Sequence, residues 1–105
     1  MTWLLAFLWT LALELPVYTV VLDLRRWWAP VALTLAVNAI SHPLLWFAFP
    51  HFAPFALYVL AGEAAVIALE AALLALVVPP RRALVASIAA NVTSAVIGSL
   101  VVHVL

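Results

Sequence analysis

Three glutamates lie inside long apolar stretches of this chain, where an ionisable side chain is costly. Glu14, Glu63 and Glu70 each have apolar residues on both sides. On membrane-insertion scales an ionisable residue at a helix centre costs about 3 kcal/mol, whereas each Leu contributes about 0.5 kcal/mol in the favourable direction. A carboxyl group removed from water must be protonated, matched to a cation or hydrated. Proton or cation binding is therefore the chemistry that these three residues indicate most directly.

Amide, imidazole and hydroxyl side chains accompany the glutamates at helical spacing, since residues three, four or seven positions apart share one helix face. The polar stripes are Thr10, Glu14 and Tyr18 in the first apolar stretch, Thr34, Asn38, Ser41 and His42 in the second, Glu63 and Glu70 in the third, and Ser87, Asn91, Ser94 and Gly98 in the fourth. Because lipid offers no hydrogen bonds, we expect the four stripes to face one another. The predicted ion- or proton-binding site consists of Glu14, Glu63, Glu70, Asn38, His42, Asn91 and Ser94.

The position of each polar residue along its helix predicts which side chains meet. Helical residues advance by about 1.5 Å each, so residues at a similar distance from the span centres share a level. On this basis the expected contacts are Glu63 with His42, Glu14 with Asn38, and Glu70 with Asn91 or Ser87.

The elements that carry these residues are apolar enough to cross a bilayer. The chain is 70% hydrophobic and 8% charged, whereas soluble domains are about 45–50% apolar and about 25% charged. Four stretches reach the length of about 20 residues that a membrane helix needs. They cover residues 3–22, 29–48, 55–78 and 83–104. The predicted fold is an all-α membrane protein with a single transmembrane domain over residues 1–105, a four-helix bundle whose partner is the lipid bilayer.

The arginines predict how this bundle is oriented. All four basic residues are arginines, and they lie in the first and third breaks at Arg25, Arg26, Arg81 and Arg82. Cytoplasmic loops hold the excess of Lys and Arg, so both termini are expected to be extracytoplasmic. The first ten residues contain no Lys or Arg, which favours a retained span over a cleaved signal peptide. We expect a bacterial cytoplasmic membrane, and the absence of a basic stripe excludes nucleic-acid binding.

The two halves of the chain share a spacing pattern that is consistent with duplication. Ten residues separate Glu14 from Arg25, and ten separate Glu70 from Arg81. After each arginine pair comes a hydroxyl residue, an Asn four positions later and a Ser three positions after that. The pattern predicts two tandem hairpins related by a pseudo-two-fold axis along the membrane normal. Chance similarity between apolar segments is the alternative.

The layout also resembles the small multidrug resistance transporters in length, in its four spans and in a first-span glutamate at Glu14. The sequence departs from that family at Pro16 and Tyr18, where small residues are expected, and it adds Glu63 and Glu70. The resemblance therefore concerns architecture, and no function is carried over from it.

The sequence is compatible with two classes of function. The first is proton- or cation-linked transport or channel activity by a homo-oligomer, because four short helices enclose little volume. The alternative is an accessory or assembly subunit of a larger membrane complex, including an electron-transfer or pigment-binding complex with His42 as an axial ligand. No enzyme activity is expected, because Ser41 and His42 are sequence neighbours on different helix faces and cannot form a nucleophile–base pair. The sequence leaves the identity of any cofactor or metal undetermined.

Overall fold

The structure, a computed structural model, describes residues 2–50 and 54–104, with the side chains of residue 55 and residues 101–104 excepted. The described chain is all helical. It contains α1 (Trp3–Leu22), α2 (Trp28–Pro43), a short π-helix (Leu44–Ala48) that continues α2, α3 (Phe55–Leu74) and α4 (Pro80–Val104). Four of its helical segments are long and apolar enough to cross a membrane, counting α2 and the π-helix as one. This confirms the predicted helical class and the prediction of four helices long and apolar enough to span a membrane.

Helix α1 has clear signals at both ends. Thr2 is the N-cap, and its hydroxyl accepts a hydrogen bond of 3.2 Å from the backbone N–H of Leu5. Asp23 ends the helix with a φ of 48°, in the left-handed region that terminates helices. The helix runs unbroken through Pro16. The helix therefore has the same bounds as the first apolar stretch predicted from the sequence.

Near its end the second long apolar helix changes from α-helical to π-helical hydrogen bonding, a change that the sequence pattern does not predict. Proline lacks the N–H that would continue the α-helical hydrogen bonds, and α2 ends at Pro43. The π-helix Leu44–Ala48 follows directly, and Phe49 N–H donates to the Leu44 carbonyl at 2.8 Å. Gly62 of α3 faces this segment, since a Cβ atom there would lie 3.0 Å from Leu45 Cδ1. A Cβ at position 62 would therefore press on the end of the Leu45 side chain, which would have to move by a few tenths of an ångström.

The third break lies earlier than predicted. Helix α3 ends at Leu74 and not at Val78, because the N–H groups that follow turn back onto the carbonyls of Leu73 and Leu74. Helix α4 begins at Pro80, three residues before the predicted start. A proline at the first helical position loses no hydrogen bond, so Pro80 opens α4 instead of closing α3.

Small residues allow close packing of the bundle on the α4 side. Ala83, Ala86 and Ala90 of α4 are fully buried, and small side chains let membrane helices approach closely. They join a buried apolar cluster with Tyr18, Leu22 and Leu74. Helices α2 and α3 pack least closely of the sequential neighbours. All four helices also expose large apolar side chains on their outer faces, as expected for helices whose surroundings are lipid.

Candidate functional site: a polar cavity inside the bundle

All seven residues predicted to bind an ion or proton line one cavity of about 50 Å³ inside the bundle. Every helix contributes to it, so the four polar stripes do face one another. The lining residues are Thr10 and Glu14 of α1, Asn38, Ser41 and His42 of α2, Leu45 of the π-helix, Glu63, Val66 and Glu70 of α3, and Asn91 and Ser94 of α4.

Glu14 is fully buried and accepts one hydrogen bond on each carboxyl oxygen. Asn38 Nδ2 donates to Oε1 at 3.1 Å, and Ser94 Oγ donates to Oε2 at 3.1 Å. Asn38 Nδ2 also donates to the Thr34 carbonyl at 2.9 Å, which only an N–H group can do. The amide nitrogen is thereby fixed towards the carboxyl, and the predicted contact between Glu14 and Asn38 is confirmed.

Glu70 is also fully buried and accepts three hydrogen bonds. Tyr18 OH at 2.6 Å and Asn91 Nδ2 at 3.0 Å both donate to Oε1, while Ser41 Oγ donates to Oε2 at 2.5 Å. The predicted contact with Asn91 is confirmed. The Ser87 hydroxyl instead donates to the Ile67 carbonyl at 2.8 Å.

The two buried carboxyl groups have matching partners. Each accepts from the Asn of its own helical hairpin on Oε1 and from a Ser of the other hairpin on Oε2. In both hairpins this Ser follows the Asn by three positions. Tyr18 breaks the match, because it supplies Glu70 with a third donor.

This arrangement can hold a carboxyl group in either protonation state. An amide N–H is always a donor, so Oε1 must accept in both half-sites. A serine hydroxyl can instead reverse, donating to a carboxylate or accepting from a carboxylic acid. Ser94 has a second acceptor ready, the Asn91 carbonyl at 3.1 Å. If Glu14 gains a proton on Oε2, the Ser94 hydroxyl can turn to that carbonyl and every group remains hydrogen-bonded.

His42 and Glu63 both line the cavity, but the predicted pair between them is wrong. His42 Nε2 lies 3.3 Å from Thr10 Oγ1. Thr10 already donates its one hydroxyl hydrogen to the Ala6 carbonyl at 2.9 Å, so it accepts from Nε2. His42 Nδ1 is buried without a hydrogen-bond partner in the described part of the chain. The rings of Trp3, Phe7 and Trp46 surround this imidazole.

The hydrogen-bond partners of the buried glutamates are neutral groups. Within residues 2–50 and 54–104, no arginine contacts Glu14, Glu63 or Glu70. Arg82 instead donates through Nη1 to the Leu22 carbonyl at 3.3 Å, at the opposite end of α1 from Thr2. The described residues contain no group of three or more His, Cys, Asp or Glu side chains suited to hold a metal ion.

Three hydroxyl residues belong to the site and are missing from the predicted set. Ser41 and Tyr18 bond to Glu70, and Thr10 bonds to His42. The signal for all three is their place on the polar stripes. Hydroxyl groups are common between membrane helices as simple packing contacts, so spacing alone does not distinguish them.

An apolar groove of about 290 Å³ lies beside the cavity, between the π-helix and α3. Ser41, Leu45 and Val66 line both spaces. The groove therefore adjoins the polar cavity on the α2–α3 side of the bundle.

No family model, curated protein or solved structure matches the chain.

Proposed function

We propose that this protein crosses a membrane four times and carries protons, alone or in exchange for another small cation, through the polar cavity. The observation that carries the proposal is the convergence of Glu14, Glu63 and Glu70 on one enclosed cavity. Ionisable groups inside membrane proteins are costly, and they are found where a proton or an ion is handled. Hydrogen bonding between helices could be achieved by Asn and Ser alone, without three carboxyl groups.

The size of the cavity favours a small cargo. A buried water needs about 10–15 Å³ of such space, so a volume of about 50 Å³ accommodates a few water molecules and no organic substrate. The N–H donors aimed at the carboxyl groups favour a proton over a metal ion. Asn38 and Asn91 present the positive end of an N–H bond to Glu14 and Glu70, and this repels a metal cation but leaves Oε2 free to gain a proton.

The matching partners of Glu14 and Glu70 support an internal duplication. We propose two hairpins, α1–α2 and α3–α4, related by a pseudo-two-fold axis along the membrane normal. The axis would exchange Glu14 with Glu70, Asn38 with Asn91 and Ser41 with Ser94. Each hairpin then completes the other's site through its Ser, so neither hairpin provides a complete site by itself.

The arginine-bearing breaks provide the proposed orientation. Arg82 contacts the last residue of α1, which brings the α1–α2 and α3–α4 breaks to one end of the bundle. We name this the arginine end and the other the α2–α3 end. The distribution of arginines favours a cytoplasmic arginine end in a bacterial cytoplasmic membrane, with both termini extracytoplasmic. Exposed apolar faces on all four helices leave room for assembly into a homo-oligomer or a larger complex.

Proton flux into liposomes that contain the purified protein tests the proposal. An enclosed pH-sensitive dye reports proton movement after a pH step. We expect flux in the wild-type protein and its loss in Glu14→Gln, which keeps the shape and the Oε1 acceptor but cannot release a proton. Asp23→Asn is the matched control, because it makes the same change at an exposed acid outside the cavity. Equal flux in wild type, Glu14→Gln and protein-free liposomes would remove the proposal.

The alternative function, an assembly subunit, makes a different prediction. Its polar stripes would serve packing, and the protein would purify in mild detergent with stoichiometric partners. A homo-oligomer or monomer that conducts protons by itself excludes a purely structural role.

A further inference from the structure

Glu63 differs from the other two acids at the cavity. It makes no hydrogen bond to the described residues and is only half-buried. By contrast, Glu14 and Glu70 are fully buried and have two and three donors. Of the three acids, Glu63 is therefore the one that water is best placed to reach.

The geometry points to Glu63 as the group at which a proton enters and leaves the cavity, from the α2–α3 end. This inference rests on the proposed function and specifies the route. The cavity that Glu63 lines has a volume of about 50 Å³, which gives room for a few water molecules to deliver the proton.

Helix α3 places two of the three acids in an order along the bundle. Glu63 precedes Glu70 by seven residues, or about 10.5 Å along a helix. It therefore lies nearer than Glu70 to the start of α3, and so nearer to the α2–α3 end. The arginine end carries four arginines and one Asp, and this positive charge opposes the approach of hydronium from that side.

The proton balance of the route is simple. A hydronium ion transfers its proton to the Glu63 carboxylate and becomes a neutral water. The carboxylic acid then passes a proton through cavity water to Glu14 Oε2, and the Ser94 hydroxyl turns from Glu14 to the Asn91 carbonyl. Besides Glu63, the titratable groups that line the cavity are Glu14 on α1, His42 on α2 and Glu70 on α3, while α4 contributes Asn91 and Ser94.

Substitution of Glu63 tests the route in the same liposomes. We expect Glu63→Gln to slow proton flux by about a hundredfold, the lower end of what a positioned proton-transfer group contributes. Glu63→Asp restores a carboxyl group and should recover most of the flux. Unchanged flux in Glu63→Gln would overturn the inference while leaving the proposed function in place. Absence of flux in the wild type would instead remove the proposed function itself.

Accessibility provides a readout that is independent of flux. The chain contains no cysteine, so Glu63→Cys and Ser41→Cys each introduce a unique thiol. In vesicles of known orientation, a charged thiol reagent added at the α2–α3 end should label Cys at position 63 at least several-fold faster than at position 41, which lies beside Glu70. Labelling of position 63 only from the arginine end, or equal labelling of both positions, would contradict the proposed route.

Discussion

The hydroxyl of Tyr18 offers the clearest test of the hydrogen-bond network, because Tyr18→Phe removes one atom from a fully buried side chain. That hydroxyl donates to Glu70 Oε1 at 2.6 Å. The net contribution of a hydrogen bond to stability is about 0.5–1.5 kcal/mol. Hydrogen bonds between membrane helices contribute about 0.6 kcal/mol on average, with a maximum of about 1.7 kcal/mol. Asn91 still donates to the same oxygen, so no buried acceptor loses its last partner. We expect a loss of about 1 kcal/mol.

The assay is reversible unfolding in mixed micelles with increasing amounts of a denaturing detergent. Thr19→Val is the matched control, since Thr19 is exposed and its hydroxyl donates only to the Leu15 carbonyl of its own helix. We expect that control to stay within about 0.5 kcal/mol of wild type.

A double substitution makes this prediction sharper. Tyr18→Phe combined with Asn91→Leu removes both donors to Glu70 Oε1. A buried acceptor without a partner costs about 1–3 kcal/mol. The double variant should therefore lose more stability than the sum of the single variants, by about that amount. Additive effects, or a Tyr18→Phe protein as stable as wild type, would refute the network.

Further predictions concern the Ser94 hydroxyl and the two glycines. Ser94→Ala should slow proton flux, because it removes the hydroxyl that donates to Glu14 Oε2. Ser94→Thr keeps a hydroxyl and should retain the flux. Equal rates of flux in Ser94→Ala and the wild type, measured in the same liposome assay, would contradict the role of this hydroxyl. Gly98→Ala should stabilise the protein by about 0.5–1 kcal/mol in the unfolding assay, because nothing lies within 4 Å of the added Cβ and alanine favours a helix. Gly62→Ala should gain less, because its Cβ would meet Leu45 Cδ1 at 3.0 Å; an equal gain at both sites would contradict the packing against the π-helix.

Much of this site follows from the sequence because helical geometry leaves few choices. Glu14 and Asn38 lie on the polar stripes of two apolar helices, and the interior of the bundle is where such side chains can find hydrogen-bond partners. The contact between Glu70 and Asn91 follows in the same way. Depth along the helices then predicts these pairs correctly from spacing alone.

Other contacts depend on details that spacing does not contain. Whether Glu63 or Thr10 reaches His42 is decided by the rotation and packing of α1 and α3, and the structure selects Thr10. Ser87 shares a helix face with Asn91, but its hydroxyl donates to the Ile67 carbonyl of α3 and not to Glu70. Hydropathy does not distinguish a π-helix from an α-helix, so it does not predict the π-helix that follows Pro43.

Infrared spectroscopy of the carboxyl C=O stretch tests the central claim, that buried acids at the cavity gain and lose protons within the folded bundle. We predict carboxylic-acid bands that change reversibly with pH in lipid vesicles and shift in heavy water. These bands should be missing from a Glu14→Gln, Glu63→Gln, Glu70→Gln variant and retained in Asp23→Asn. Bands that stay constant over the whole pH range in which the protein remains folded would contradict the account.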